Sequence, residues 1–286
     1  MAQQKDEHVI EAVGRCRVVV RDGVVVEVGE PVIRDCPLAK KFACPVPDIT
    51  PDAVKANIEH RIRAFGMCTP QRRVLDDRMF VGFGASEILS FGVAAGMIDA
   101  VVTACDGAGT VIATKPALVQ GIGGRMSGLV STSPIPEVIA RIEENDGIVL
   151  DKENASMDAL AGVALAVERG YKKVAVTVAL PKDAAAIRRV HPPAFIFGVH
   201  VTGLTKGEAE VLVASSDLVT SCASQTIREA VSGKALLQAG VAIPVFAMTK
   251  AGKELIIEKI RQADDPVLVR SAKLPALSVN QPEPLI

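Results

Sequence analysis

Residues 173–222 read KVAVTVALPKDAAAIRRVHPPAFIFGVHVTGLTKGEAEVLVASSDLVTSC. Lys173–Ala179, Ala194–His200 and Asp217–Cys222 are short apolar runs rich in Val, Ile and Phe, the composition of strands buried on both faces. Lys182–Arg189 and Lys206–Ser215 lie between them and mix Ala, Glu, Lys and Arg, which predicts helices. Strand, helix, strand, helix, strand in that order is the mark of a parallel sheet with crossover helices. Toward the N-terminus the alternation extends through helices at Met157–Arg169 and Pro134–Glu144, a buried strand at Asp99–Cys105, a helix at Ser86–Met97 and a strand at Met79–Phe83. Toward the C-terminus come a helix at Gln225–Val231, a strand at Val241–Ala247 and a helix at Lys250–Arg261. The predicted fold class is α/β: a mostly parallel sheet with crossover helices in Rossmann-like halves, plus a small N-terminal β-hairpin element.

The hairpin comes from Arg17–Glu27, RVVVRDGVVVE, where two Val-rich runs flank Asp22-Gly23. Both central residues of a type I′ turn need positive φ, and Asp-Gly supplies them. Pro31–Pro47 is rich in Pro and Cys and reads as irregular chain. Thr50 then caps a helix that starts at Pro51 and runs to about Ala64. Four portions are expected: 1–70 with the hairpin, the Cys/Pro-rich loop and this helix; 71–150, a first α/β portion; 151–263, a second, Rossmann-like one; and 264–286, a Pro-rich tail. A faint echo links the middle two. Asp99–Cys105 is followed by Ala117-Leu-Val-Gln120, and Asp217–Cys222 by Ala235-Leu-Leu-Gln238. If each block is a strand leading into a helix, Cys105 and Cys222 both end parallel strands, where open α/β sheets place ligands.

With 286 residues, 49% hydrophobic and 23% charged, the chain has the apolar content for a large core, and disorder as its main state is excluded. Lys and Arg number 32 against 33 Asp and Glu, so no bulk charge favours nucleic acid or an anionic membrane. Aromatics are only 3%, with no Trp, which leaves few platforms for base stacking. The opening MAQQKDEH has no basic stretch leading into an apolar one, and no apolar run is long enough to cross a bilayer, so a cytoplasmic protein is expected. Association with a second copy stays open.

Six cysteines in such a chain are expected as thiols or ligands before disulfides. Cys36 and Cys68 stand beside proline in irregular chain, where no regular core asks for a small apolar residue, so a ligand role gains weight; Cys44 shares that setting and Cys16 looks ordinary. Cys105 opens Cys-Asp-Gly-Ala-Gly-Thr110, whose amides at Asp106, Gly107, Gly109 and Thr110 are candidates to cradle an anion or a cluster sulfur. Gly121-Ile-Gly-Gly124 with Arg125 is a second such candidate through Gly123, Gly124 and the Arg125 charge, or else a chain reversal needing positive φ. Neither spacing matches a phosphate loop or a dinucleotide fingerprint. Cys222 is expected near a helix N-terminus, which would favour its thiolate, and the alternative is a small buried hydrophobe. His200 ends a strand, where a general base, a ligand or a structural histidine are all open. No close pair of cysteines marks a zinc ribbon or a ferredoxin-type run.

DEHVIEAVGRCRVVVRDGVVVEVGEP near the start, CPL at Cys36, FGMCTP around Cys68, CDGAGTV at Cys105, GIGGRMSG at Gly121, TSPIPEVI at Thr132, and CASQTIREA with KALLQ after Cys222 together resemble the methanogenesis marker protein 8 family. The similarity runs to about Lys259 and leaves out the tail. It implies an accessory role beside methyl-coenzyme M reductase in an anaerobic archaeal cytosol, in assembling, modifying or activating that enzyme or its nickel tetrapyrrole. The family pattern includes Cys36, Cys68, Cys105 and Cys222 and leaves out Cys16 and Cys44.

The leading expectation is an iron–sulfur accessory protein with Cys36, Cys68, Cys105 and Cys222 as ligands of a 4Fe–4S cluster. Its partners would be methyl-coenzyme M reductase or its assembly factors. The first alternative is a cofactor-independent racemase or isomerase in which Cys105 and Cys222 face each other across a cleft, His200 is the further base, and Thr103, Thr110, Ser221, Ser224 and Thr226 anchor substrate. The second is a non-catalytic protein that binds a ligand or a partner.

Overall fold

The computed structural model describes residues 6–125, 128–264 and 266–286. Three elements open the chain: β1 (Glu7–Ala12), β2 (Cys16–Arg21) and β3 (Val24–Val28), followed by α1 (Pro51–Phe65). Asp22 and Gly23, at φ 49° and 72°, form the turn between β2 and β3 that the Asp-Gly pair predicts. Thr50 caps α1 by accepting the Ala53 N–H at 3.2 Å, and Gly66 closes the helix in the left-handed conformation. The chain continues as α2 (Ala85–Ala94), β4 (Ala100–Cys105), β5 (Gly109–Ala113), α3 (Pro116–Gly123), β6 (Gly128–Thr132), α4 (Pro136–Glu143), β7 (Ile148–Val149) and α5 (Ala159–Glu168). It ends as β8 (Val174–Val178), α6 (Pro181–Val190), β9 (Phe195–Gly198), α7 (Lys206–Ser215), β10 (Leu218–Thr220), α8 (Gln225–Val231), β11 (Leu237–Ala239), β12 (Val245–Ala247) and α9 (Lys250–Arg261).

The large sheet runs β11-β12-β10-β9-β8-β4-β5-β7. Its four central strands β10, β9, β8 and β4 are parallel, with α6 and α7 as crossovers between consecutive strands, and the flanking strands pair antiparallel. Alternation along each strand sends side chains to two separate cores. Val101, Ala175, Phe197, Leu218 and Ala247 pack on the side of α2, α3, α4 and α9, with Ile88, Leu118, Ile142 and Ile256. Val102, Val176, Ile196, Val219 and Phe246 pack on the side of α5 to α8, with Val163, Ile187, Leu212 and Ile227. The small sheet, β3-β2-β1-β6, is antiparallel and builds a third core with α1 around Ile10, Val18, Val20, Ile58 and Met67. Its fourth strand, β6, comes from mid-chain, so the small sheet is stitched to the large one. Among the described residues no helix is long and apolar enough to cross a membrane.

Three sequence expectations are corrected. Met79–Phe83 is irregular, with Met79 and Phe80 largely exposed; the segment is held by the Phe80 N–H on Glu87 and by Gln120 on the Arg78 carbonyl rather than by a neighbouring strand. The strand expected over Val241–Ala247 begins only at Val245, after the turn that ends in Pro244. The echo between the α/β portions has no structural counterpart: Cys105 leads into a hairpin return on β5, while Cys222 leads into a helix. Ala117–Gln120 lies in α3, but Leu237 and Gln238 lie in β11.

Candidate functional site

The carboxyl ends of the parallel strands are where such sheets bind ligands, and here the Cys/Pro-rich loop and the small sheet close over them. Cys105 ends β4, His200 follows β9 and Cys222 follows β10. The thiols gather there as two pairs. Cys68 and Cys105 are fully buried and lie within electrostatic reach of one another. Cys36 and Cys222, both partly exposed, form the second pair. Three strand spacings separate β4 from β10, about 14 Å of sheet. Among the described residues no three His, Cys, Asp or Glu side chains are grouped as ligands of one metal ion.

The buried pair surrounds an ion pair that sequence reasoning missed. Arg72 and Asp106 have no solvent exposure, and Arg72 Nε lies 2.9 and 3.2 Å from the two Asp106 oxygens. Asp106 also accepts the Cys68 N–H at 2.7 Å, and Arg72 donates to the carbonyls of Arg73, Gly121 and Ile122. Burial pushes the Asp106 carboxyl up, but Arg72, the Cys68 N–H and the nearby His8 together hold it below the usual aspartate value. On the thiols burial and then the Asp106 charge both act upward: Cys105 is pushed up to about 12, and Cys68 well above its ordinary value. Both are neutral thiols at pH 7.

His8 on β1 extends this network. Its Nδ1 sits 2.6 Å from Thr132 Oγ1 and its Nε2 2.7 Å from Asp6. Thr132 Oγ1 also accepts the Gly107 N–H at 2.8 Å and lies 3.3 Å from the Ser133 carbonyl, so one hydroxyl ties β1 to the Cys105–Thr110 turn. The rest of the Cys105–Thr110 turn is similarly engaged: the Ala108 N–H donates to the Cys105 carbonyl, the Thr110 N–H to the Ser156 carbonyl, and the Asp158 N–H to the Thr110 hydroxyl. Gly123 lies in α3 and Gly124 caps it, both at ordinary helical φ, so no positive-φ reversal occurs there. Arg125 pairs with Asp76 and lies 4.8 Å over the Phe65 ring. Met126 and Ser127 of the GIGGRMSG motif lie outside the described residues.

Cys222 has different surroundings. Its sulfur is 3.4 Å from Thr220 Oγ1, it receives the Val201 N–H, and Arg228 donates to its carbonyl at 3.0 Å. α8 begins only at Gln225, with Ser224 as its cap, so Cys222 is not at the helix start that was expected to favour its thiolate. Burial dominates and raises the thiol, with Thr220, Val201 and Arg228 pulling the other way. Cys222 and His200, at φ 33° and 53°, share with Cys68 (φ 56°) the left-handed conformation that is costly for residues other than glycine. His200 is exposed to solvent, with its ring edge against Gly128 of β6. The last residues strap this corner: Ile286 exchanges backbone hydrogen bonds with Ala223 and Gln225, and Glu283 bonds Arg34 and Asp35 beside Cys36.

A fully buried ion pair, two thiol pairs and a closing strap at the carboxyl edge of an α/β sheet define the class: an α/β protein with a thiol-lined edge. Residues 8–261 match the family described as "Uncharacterized protein conserved in archaea (DUF2099)", and the chain belongs to that family. It is also similar to an uncharacterized protein of Methanocaldococcus jannaschii, 45% identical over 284 residues that cover 98% of this chain and 100% of that one. No solved structure matches.

Proposed function

We propose that this protein is an accessory factor of archaeal methane metabolism, acting in the maturation, modification or activation of methyl-coenzyme M reductase or its nickel cofactor through an iron–sulfur centre on its thiols. The resemblance to the methanogenesis marker protein 8 family supports the pathway; an archaeal family and a relative in Methanocaldococcus jannaschii agree with it. One observation carries the thiol centre. Cys68 lies within electrostatic reach of Cys105, and Cys36 of Cys222, beside the ends of β4 and β10, whereas Cys16, although it shares the small core with Cys68, bonds the Gly29 carbonyl, and Cys44 lies on the loop against α1.

The two pairs sit at the ends of strands three spacings apart, about 14 Å of sheet, and among the described residues they are not grouped as one four-thiolate cage. Cys36 and Cys222, the partly exposed pair, are the groups that meet iron first, and Cys68 and Cys105 join only if the edge opens. The test is anaerobic isolation and reconstitution with iron and sulfide, followed by metal and acid-labile sulfide analysis and the visible absorption of thiolate-bound iron. Bound iron and sulfide, lost in Cys36→Ser and Cys222→Ser, is the expected result. A folded protein that stays colourless and iron-free after reconstitution overturns the proposal.

A further inference from the structure

We propose that Arg228 anchors a binding site for a small oxyanion-bearing ligand, a carboxylate, phosphate or sulfonate, at the carboxyl end of β10. α8 turns Arg228 inward with Ile227, Ala230 and Val231, leaving the residue 2% exposed. A guanidinium carries five N–H donors. Only Nη2 has an acceptor, the Cys222 carbonyl, while Nε and Nη1 have none. Three other inward-turned guanidiniums have a carboxylate: Arg72 has Asp106, Arg125 has Asp76 and Arg188 has Asp217. Among the described residues no carboxylate comes within ion-pair distance of Arg228.

A buried cation without a counter-ion is costly and persists where something else supplies the negative charge. A second orphan lies close in sequence: Ser221, one residue before Cys222, is fully buried and its hydroxyl has no partner. Donors are thus in excess at a place where open α/β sheets put ligands. Guanidinium geometry suits planar carboxylates and tetrahedral phosphates or sulfonates alike. Entry lies under the strap, because the Ile286 N–H on Ala223 and the Gln225 N–H on Ile286 hold the tail against the first turn of α8. The ligand is small, since the tail closes over this corner.

The proposal does not depend on iron, and its test uses metal-free, full-length protein so that the two can fail separately. Thermal unfolding is followed with acetate, inorganic phosphate and methanesulfonate as separate probes, each against chloride of equal ionic strength. At a hundredfold excess over its dissociation constant the preferred probe raises Tm by roughly 5–10 °C, and which probe does so tells the ligand's class. Arg228→Met abolishes the rise while still folding, because it replaces an unpaired buried charge with an apolar side chain. Arg228→Lys keeps the charge but loses the fork, and weakens the rise; it carries the test if Arg228→Met does not fold. No rise with any probe, or the same rise in both variants as in the wild type, overturns the proposal.

Discussion

Replacing Asp106 with Asn keeps its shape and an oxygen for the Cys68 N–H but removes the charge opposite Arg72. Both partners are wholly buried, so solvent screening does not soften the loss. What remains for the guanidinium is the carbonyls of Arg73, Gly121 and Ile122 and the Phe65 ring, 5.2 Å away. Removing one member of such a pair costs about 3–5 kcal/mol. At 2–4 °C per kcal/mol for a chain of this size, Tm should fall by roughly 6–20 °C. Arg72→Met should cost a similar amount, and the double variant Arg72→Met/Asp106→Leu distinctly less than the sum of the two. The assay is urea unfolding followed by far-ultraviolet circular dichroism, since the chain has no Trp. Because the Asp106 carboxyl is held below its unfolded value, its contribution is complete above about pH 4 and is lost as pH falls through the folded value. The Asp106→Asn deficit should accordingly be flat from neutral pH to mild acid and shrink only below that. A deficit under about 1 kcal/mol, or singles that add to the double within about 0.5 kcal/mol, would refute a paired, desolvated network.

Native alkylation followed by mass spectrometry should label Cys36 and Cys222 well before Cys68 and Cys105; equal rates at Cys36 and Cys105 would contradict the division into open and buried pairs. Thr132→Val strands the Gly107 N–H and should cost about 1–3 kcal/mol, read by the same urea assay. Gly109 sits at φ 67°, and a Cβ there would drive into the Ala155 carbonyl, so Gly109→Ala should cost at least about 2 kcal/mol.

Local signals in the sequence carried much of the fold. Asp22-Gly23 announced the β2–β3 turn, Thr50-Pro51 the start of α1, and the apolar runs between 173 and 222 the parallel centre of the large sheet. What local pattern cannot announce is pairing between distant segments. β6 joins β1 across more than a hundred residues, and His8 meets Thr132 only because of that register. The same reason hid the pairing of the thiols. All four stood out, Cys105 and Cys222 as strand-end thiols and Cys36 and Cys68 beside proline in irregular chain, but which meets which follows from how loops return to the sheet edge. Arg72 gave no local sign of burial. Arg228 did give one, since it shares the apolar face of α8 with Ile227 and Val231, where a charge is out of place.

The most direct test of the thiol centre is the iron and sulfide bound per chain in two double variants, Cys36→Ser/Cys222→Ser and Cys68→Ser/Cys105→Ser, isolated and reconstituted anaerobically beside the wild type. Loss of iron in the first double, with the wild type loaded, is the predicted result, and the second double tells whether the buried pair completes the ligand set. Iron retained in full by the Cys36→Ser/Cys222→Ser protein, or a wild type that binds none, would contradict it.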